Sequence, residues 1–139
     1  MIGVPDFESY VIEERFEKAL KLIYAALAEM ELSVVGEIGL PRASEYLPVP
    51  QGPAKALLVD CPLLSFEAMA LDRAAAVFLP LHVFVCGTDG RTWVSIVNPE
   101  RWLEAHLPVG AADPIARLVA RIELALAAAS ERARVGHSK

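Results

Sequence analysis

Two alternating runs flank a tight turn near the middle of the chain, and they constrain its fold more than any other feature. Leu81, Val83 and Val85 fall on one side of an extended strand, and His82, Phe84 and Cys86 on the other. After Thr88-Asp89-Gly90-Arg91, Val94 and Ile96 alternate with Trp93, Ser95 and Val97. Period-two alternation on both sides of an Asp-Gly turn specifies an antiparallel hairpin. Upstream, Ala54 to Val59 is a near-continuous apolar run between Pro53 and Pro62. That pattern suits a strand covered on both faces or lying at a subunit contact.

The flanking elements follow from helical spacing and proline punctuation. Phe16, Leu20, Ile23, Leu27 and Met30 form one helical stripe behind a short first strand at Ser9 to Glu13, and Leu32 to Leu40 reads as a second strand. Cys61-Pro62 starts a helix whose expected buried face is Phe66, Met69 and Ala70, and Asn98-Pro99 caps a short helix to about Leu103. Asp113-Pro114 repeats that chemistry for the final helix, with Ile115, Leu118, Val119, Ile122, Leu126 and Ala129 on one stripe. Pro41 to Pro53 reads as a surface loop. The sum is a single domain over residues 1–139 of class α+β. Its order is β-α-β-β-α-β-β-α-α, an antiparallel or mixed sheet of four or five strands with helices packed on one face.

Helices on one face leave the other needing cover. With 55% hydrophobic residues and no apolar run approaching the ~20 residues that span a bilayer, the surplus apolar surface points to a homodimer in which a second copy supplies that cover. The first residues, Met1 to Glu8, show neither a basic nor an apolar segment of an export signal, so the expected location is the cytoplasm and the expected membrane involvement none. The net charge of −5 and the scattered Lys and Arg residues oppose nucleic-acid binding.

The same pieces, in the same order, resemble the bacterial and archaeal domain-of-unknown-function family 302, over about Phe16 to the start of the last helix. The resemblance rests on the amphipathic first helix, Val34 to Ile38, the proline-containing loop, the Cys/Pro helix start, Leu79-Pro80, the hairpin, and Val94-Ser95-Ile96-Val97-Asn98-Pro99. It implies a small α+β domain without an agreed activity. Members carry Cys-Asn-Pro after one strand and Leu-Leu-Pro-Cys-Asn before another. Aligned on the prolines, those motifs become Asp60-Cys61-Pro62 and Pro80-Leu81-His82-Val83, so both family cysteines are missing from their positions and Cys61 stands in an Asn position.

The residues able to carry chemistry are few. Two cysteines, Cys61 and Cys86, read as free thiols. His82 and Cys86 share a strand face but are separated by roughly 13 Å along it, too far to bind one ion, so no metal and no cofactor are expected. Cys61 opens a helix, where free N–H groups favour a reactive thiol, whereas Asp60 opposes it and a small buried hydrophobe is the plainer reading. Cys86, beside Phe84, is expected in the core. Trp93 and Trp102 read as core or interface anchors, and Arg117 and Arg121 as a solvated helix face. No phosphate loop, nucleophile elbow or zinc-protease helix is present.

Three functional classes follow. The first is a non-catalytic ligand-binding or protein-interaction module, with Asp60, Cys61 and His82 around a small polar ligand. The second is a thiol-dependent enzyme or redox-responsive protein using Cys61 with His82. The third is a structural subunit of a larger assembly. Geometry links the first two. If the strands ending at Asp60 and starting at Leu81 are antiparallel neighbours, the end of one meets the start of the other.

Overall fold

The computed structural model describes residues 7–40 and 52–137. Five strands form one sheet: β1 (Phe7–Ile12), β2 (Ser33–Gly39), β3 (Ala54–Asp60), β4 (Leu81–Thr88) and β5 (Arg91–Val97). Their spatial order is β1-β5-β4-β3-β2, and every neighbouring pair is antiparallel. The helices are α1 (Phe16–Glu29), α2 (Pro62–Leu71), α3 (Glu100–His106) and α4 (Val109–His137), with a 3-10 turn at Arg73–Phe78. The fold is α+β in the order read from sequence, and the sheet is antiparallel throughout. The loop expected over Pro41 to Pro53 lies mostly outside the described residues.

The β4–β5 hairpin occupies the sheet centre. Asp89 and Gly90 both adopt positive φ, 45° and 81°, the twist that lets a two-residue turn match strands of right-handed twist. Strands β3 and β1 flank it on either side, and β2 forms the far edge beyond β3. Because β1 and β2 lie at opposite edges, α1 between them crosses the sheet. Phe16, Ala19, Leu20, Ile23, Ala26 and Leu27 bury against it, matching the expected stripe. At the β2 edge, α1 meets Glu37 through Tyr24. Burial, the hydrogen bond with Glu37 and the carboxylate's charge push that phenol up to about 12.

Helix α4 carries the second half of the core. Ile115, Leu118, Val119, Ile122, Leu126 and Ala129 are buried as the spacing specifies, and α4 packs on α1, α2, α3 and β1. Ser130 Oγ donates to the Val11 carbonyl at 2.6 Å and Thr92 Oγ1 to the Glu14 carbonyl at 2.9 Å, so these half-buried or buried hydroxyls close backbone positions around the first strand. The helix begins at Val109, earlier than the Asp113-Pro114 start read from sequence. The Pro108 carbonyl accepts from the N–H groups of Ala111 and Ala112, and Leu107 and Ala111 are buried, so packing nucleates the first turn and Pro114 falls inside the helix.

Helix α2 also departs from its expected face. Leu64, Ser65 and Ala68 are buried, whereas Phe66 is 70% exposed and Met69 is exposed as well. The helix is apolar almost all round, so spacing alone does not choose its buried side. Contact with α4 does. Among the described residues, no helix is long and apolar enough to cross a membrane.

Two measurements check this layout. In urea denaturation, Leu64→Ala is expected to cost about 2 to 5 kcal/mol and Phe66→Ala no more than about 0.5 kcal/mol; the reverse ranking contradicts the orientation of α2. The second concerns Glu123 on α4, whose carboxyl burial, together with the charges of Glu8 and Glu100, holds above its ordinary value of 4.5. A raised native pKa means the folded state binds the proton more tightly, so stability falls as pH rises from 4.5 through the native value. Glu123→Gln is therefore expected to raise the denaturation midpoint at pH 7 and to leave it unchanged below the carboxyl range.

Candidate functional site

Alternation gives the sheet two unlike faces. Leu57 and Val59 of β3, Leu81, Val83 and Val85 of β4, and Val94 and Ile96 of β5 are buried beneath the helices. Among the described residues, the opposite face carries no helix across its centre. The register sets out three rows on it. One runs Gly36, Leu58, His82, with Val97 next to Ile96 at its far side; the next runs Ile38, Ala56, Phe84, Ser95, Ser9; the third runs Ala54, Cys86, Trp93, Val11. Cys86 is thus only half-buried on the uncovered face, not in the core. Its neighbours in sequence pointed the right way, but no second layer covers the face they point to among the described residues.

At the end of this face where β4 begins, a groove of about 470 Å³ is walled by the 3-10 turn, the Leu79–Pro80 segment and the start of α3. The Leu79–Pro80 peptide is cis. The lining is apolar, Leu58, Phe78, Leu79, Val97 and Trp102 among it, and His82 supplies the imidazole. Trp102 stands half-exposed on α3, which follows β5 directly because Asn98 Oδ1 accepts from the Glu100 N–H at 3.0 Å. A second concavity, of about 590 Å³, shares Val77, Phe78 and Trp102 and is bordered by Ala74 and His106.

The three residues singled out from sequence lie on adjacent strands but point different ways. Val59 is in register with Leu81 and Leu58 with His82, so the two segments do meet. Cys61 continues the odd-numbered side of β3 into the helix layer, where it is buried, and Arg121 Nη1 donates toward its Sγ at 3.7 Å. His82 stands on the uncovered face, exposed. The two side chains do not face one another. Asp60, at the strand end, accepts a short hydrogen bond from the buried Ser65 hydroxyl, which ties the end of β3 to the first turn of α2.

Of the two arginines on α4, Arg117 lies on the solvated face read from spacing and Arg121 departs from it. Arg117 donates to Asp113 at 3.0 Å and to Glu67 of α2 at 2.8 Å, while Arg121 turns inward to the sulfur. Sequence reasoning missed Trp102 as a groove wall and Arg121 as the neighbour of Cys61. Only the four-residue spacing of the arginines beside the apolar stripe hinted at the latter. Among the described residues no three His, Cys, Asp or Glu side chains converge as metal ligands.

The chain matches the family described as "Domain of unknown function DUF302" over residues 8–129. No protein of curated function matches the sequence. Among solved structures, the crystal structure of an uncharacterized conserved DUF302 protein from Bacillus stearothermophilus superposes with a TM-score of 0.74 at 14% identity, covering 88% of this chain and 97% of that one. At that identity the likeness is one of fold. The family match spans most of the sequence, and the chain belongs to the DUF302 family.

Proposed function

We propose that this domain is a non-catalytic binding module whose ligand is a small amphipathic molecule, a flat apolar body bearing an acceptor or anionic group. The groove at the β4 start carries this reading: it is of the size that small-molecule sites have, is mostly apolar, and holds an imidazole among apolar walls. Apolar walls supply affinity without direction, and a single N–H donor fixes orientation. In this reading His82 makes the polar contact and Trp102 stacks on the flat body. The Ser65 hydroxyl bound to Asp60, with Cys61 buried at the helix start, holds the β3–α2 corner.

The test uses 2-naphthoate as probe and a Trp93→Phe background, in which Trp102 is the one remaining tryptophan. Saturable change of its emission is expected, with His82→Ala weakening binding about tenfold, the loss of one hydrogen bond to a charged group. Trp102→Ala, followed by calorimetry, is expected to lose binding altogether. No saturable signal up to millimolar probe, or equal affinity in the His82→Ala protein, defeats the reading.

The contact between Arg121 and Cys61 favours a second reading, thiol-based redox response, because reactive thiols sit beside cations. Against it, Cys61 is only 6% exposed. Under the binding-module reading, iodoacetamide modifies Cys86 first and reaches Cys61 only on unfolding. Faster modification of Cys61 in the native protein, read by peptide mass spectrometry, supports the thiol reading instead.

A further inference from the structure

We infer that the uncovered sheet face is the interface of a homodimer, two copies packing face to face. The observation is the composition of its three rows. From β2 to β1 they contain aromatic, aliphatic, Gly, Ser and Cys residues and one imidazole, with no Asp, Glu, Lys or Arg until Thr88 and Arg91 at the hairpin end. A sheet face meant for water alternates polar and charged residues outward. Here Phe84, Trp93, Val97 and Ile38 are instead each 41 to 48% exposed. A continuous apolar surface of this kind marks an interaction site.

The occupant follows from shape, area and charge. Five strands at ~4.8 Å spacing and three rows of side chains cover on the order of 500 Å² in projection, so two copies bury about 1,000 Å², the level a specific interface reaches. Phe84 and Trp93 are the bulky residues that β4 and β5 carry on this face, and Ala54, Ala56 and Gly36 are the small ones on β3 and β2, with Leu58 and Ile38 beside them. A two-fold axis near the middle row brings bulky positions of each copy over small positions of the other, which is the self-complementarity an isologous dimer requires. The face offers no charge to match a charged partner. The net charge of −5 also opposes an anionic membrane surface.

Ile38, Leu58, His82 and Val97 belong both to this face and to the groove, whereas Phe84 and Trp93 lie outside the groove, so substitutions at those two test the interface alone. Its test is sedimentation velocity on the full chain at about 10 μM, where the expected mass is twice 15.1 kDa. Phe84→Glu and Trp93→Lys are each expected to raise the dimer dissociation constant at least about a hundredfold with unchanged circular dichroism, since a charge is buried at the centre of the contact. Leu124→Glu, at an exposed apolar position on α4, should leave the dimer intact. Should a face variant fail to fold, Cys86 carries the test in the unmutated chain: its maleimide reaction should slow as protein concentration rises. A monomeric wild type, a dimer that survives both face variants or breaks with Leu124→Glu, or a Cys86 rate independent of concentration overturns the inference. A monomer that floats with phosphatidylcholine vesicles overturns it in favour of lipid.

Discussion

Packing of α4 is the constraint on which the other elements depend. Its buried stripe runs from Ala111 to Ala133, and from it α4 touches α1, α2, α3 and β1. A helix of 29 residues is ~40 Å long, enough to lie along the whole helical layer. It therefore decides how the shorter helices face. Pro114 within it and the exposed aromatic of α2 are both consequences of that docking. Helix propensity would start α4 later, and hydrophobicity would bury Phe66, but neither outweighs the burial of Leu107, Ala111, Leu64 and Ala68.

With α1, α2 and α4 on one side, the sheet is left, among the described residues, with a face of opposite character, and the candidate site grows out of that asymmetry. An antiparallel sheet tolerates a wet face, so nothing in the backbone requires the second face to be apolar. Its residues are apolar nonetheless. At the β4 start the face folds into a groove because β5 runs straight into α3 and the 3-10 turn precedes β4, bringing Trp102 and Phe78 into the same groove lining as His82. The flat centre and the concave end are thus different surfaces on one face. The first suits a broad partner, and the second a small one.

Much of this was legible in the sequence, for identifiable reasons. The alternation over Leu81 to Cys86 set both faces of β4 correctly, and the large residues of the α1 and α4 stripes were read correctly apart from Met30, which caps α1 half-buried, because in each the apolar and polar positions differ sharply; the buried alanines beside them, Ala129 apart, were not read. Helix α2 was misread because it is apolar nearly all round, so its orientation is set by a neighbour distant in sequence. Cys86 was misassigned to the core because alternation names a side without saying whether a second layer covers it. The approach of the Asp60 and His82 segments was foreseen as a consequence of antiparallel pairing. The direction of the Cys61 thiol was not, since it depends on β3 and β4 parity in a register that only the pairing of Val59 with Leu81 fixes.

That parity also gives meaning to the positions where the chain departs from the motifs it resembles. After Pro80, adjacent residues must point to opposite faces, and here Leu81 enters the core while His82 enters the groove. Aligned on Pro80, the family's Cys falls at position 81 and its Asn at position 82. The resemblance therefore implies a small apolar side chain on the covered face and a hydrogen-bonding one on the open face, the same division of labour with different residues. Leu in place of Cys fills more of the core, and His in place of Asn puts an imidazole among the groove-lining residues.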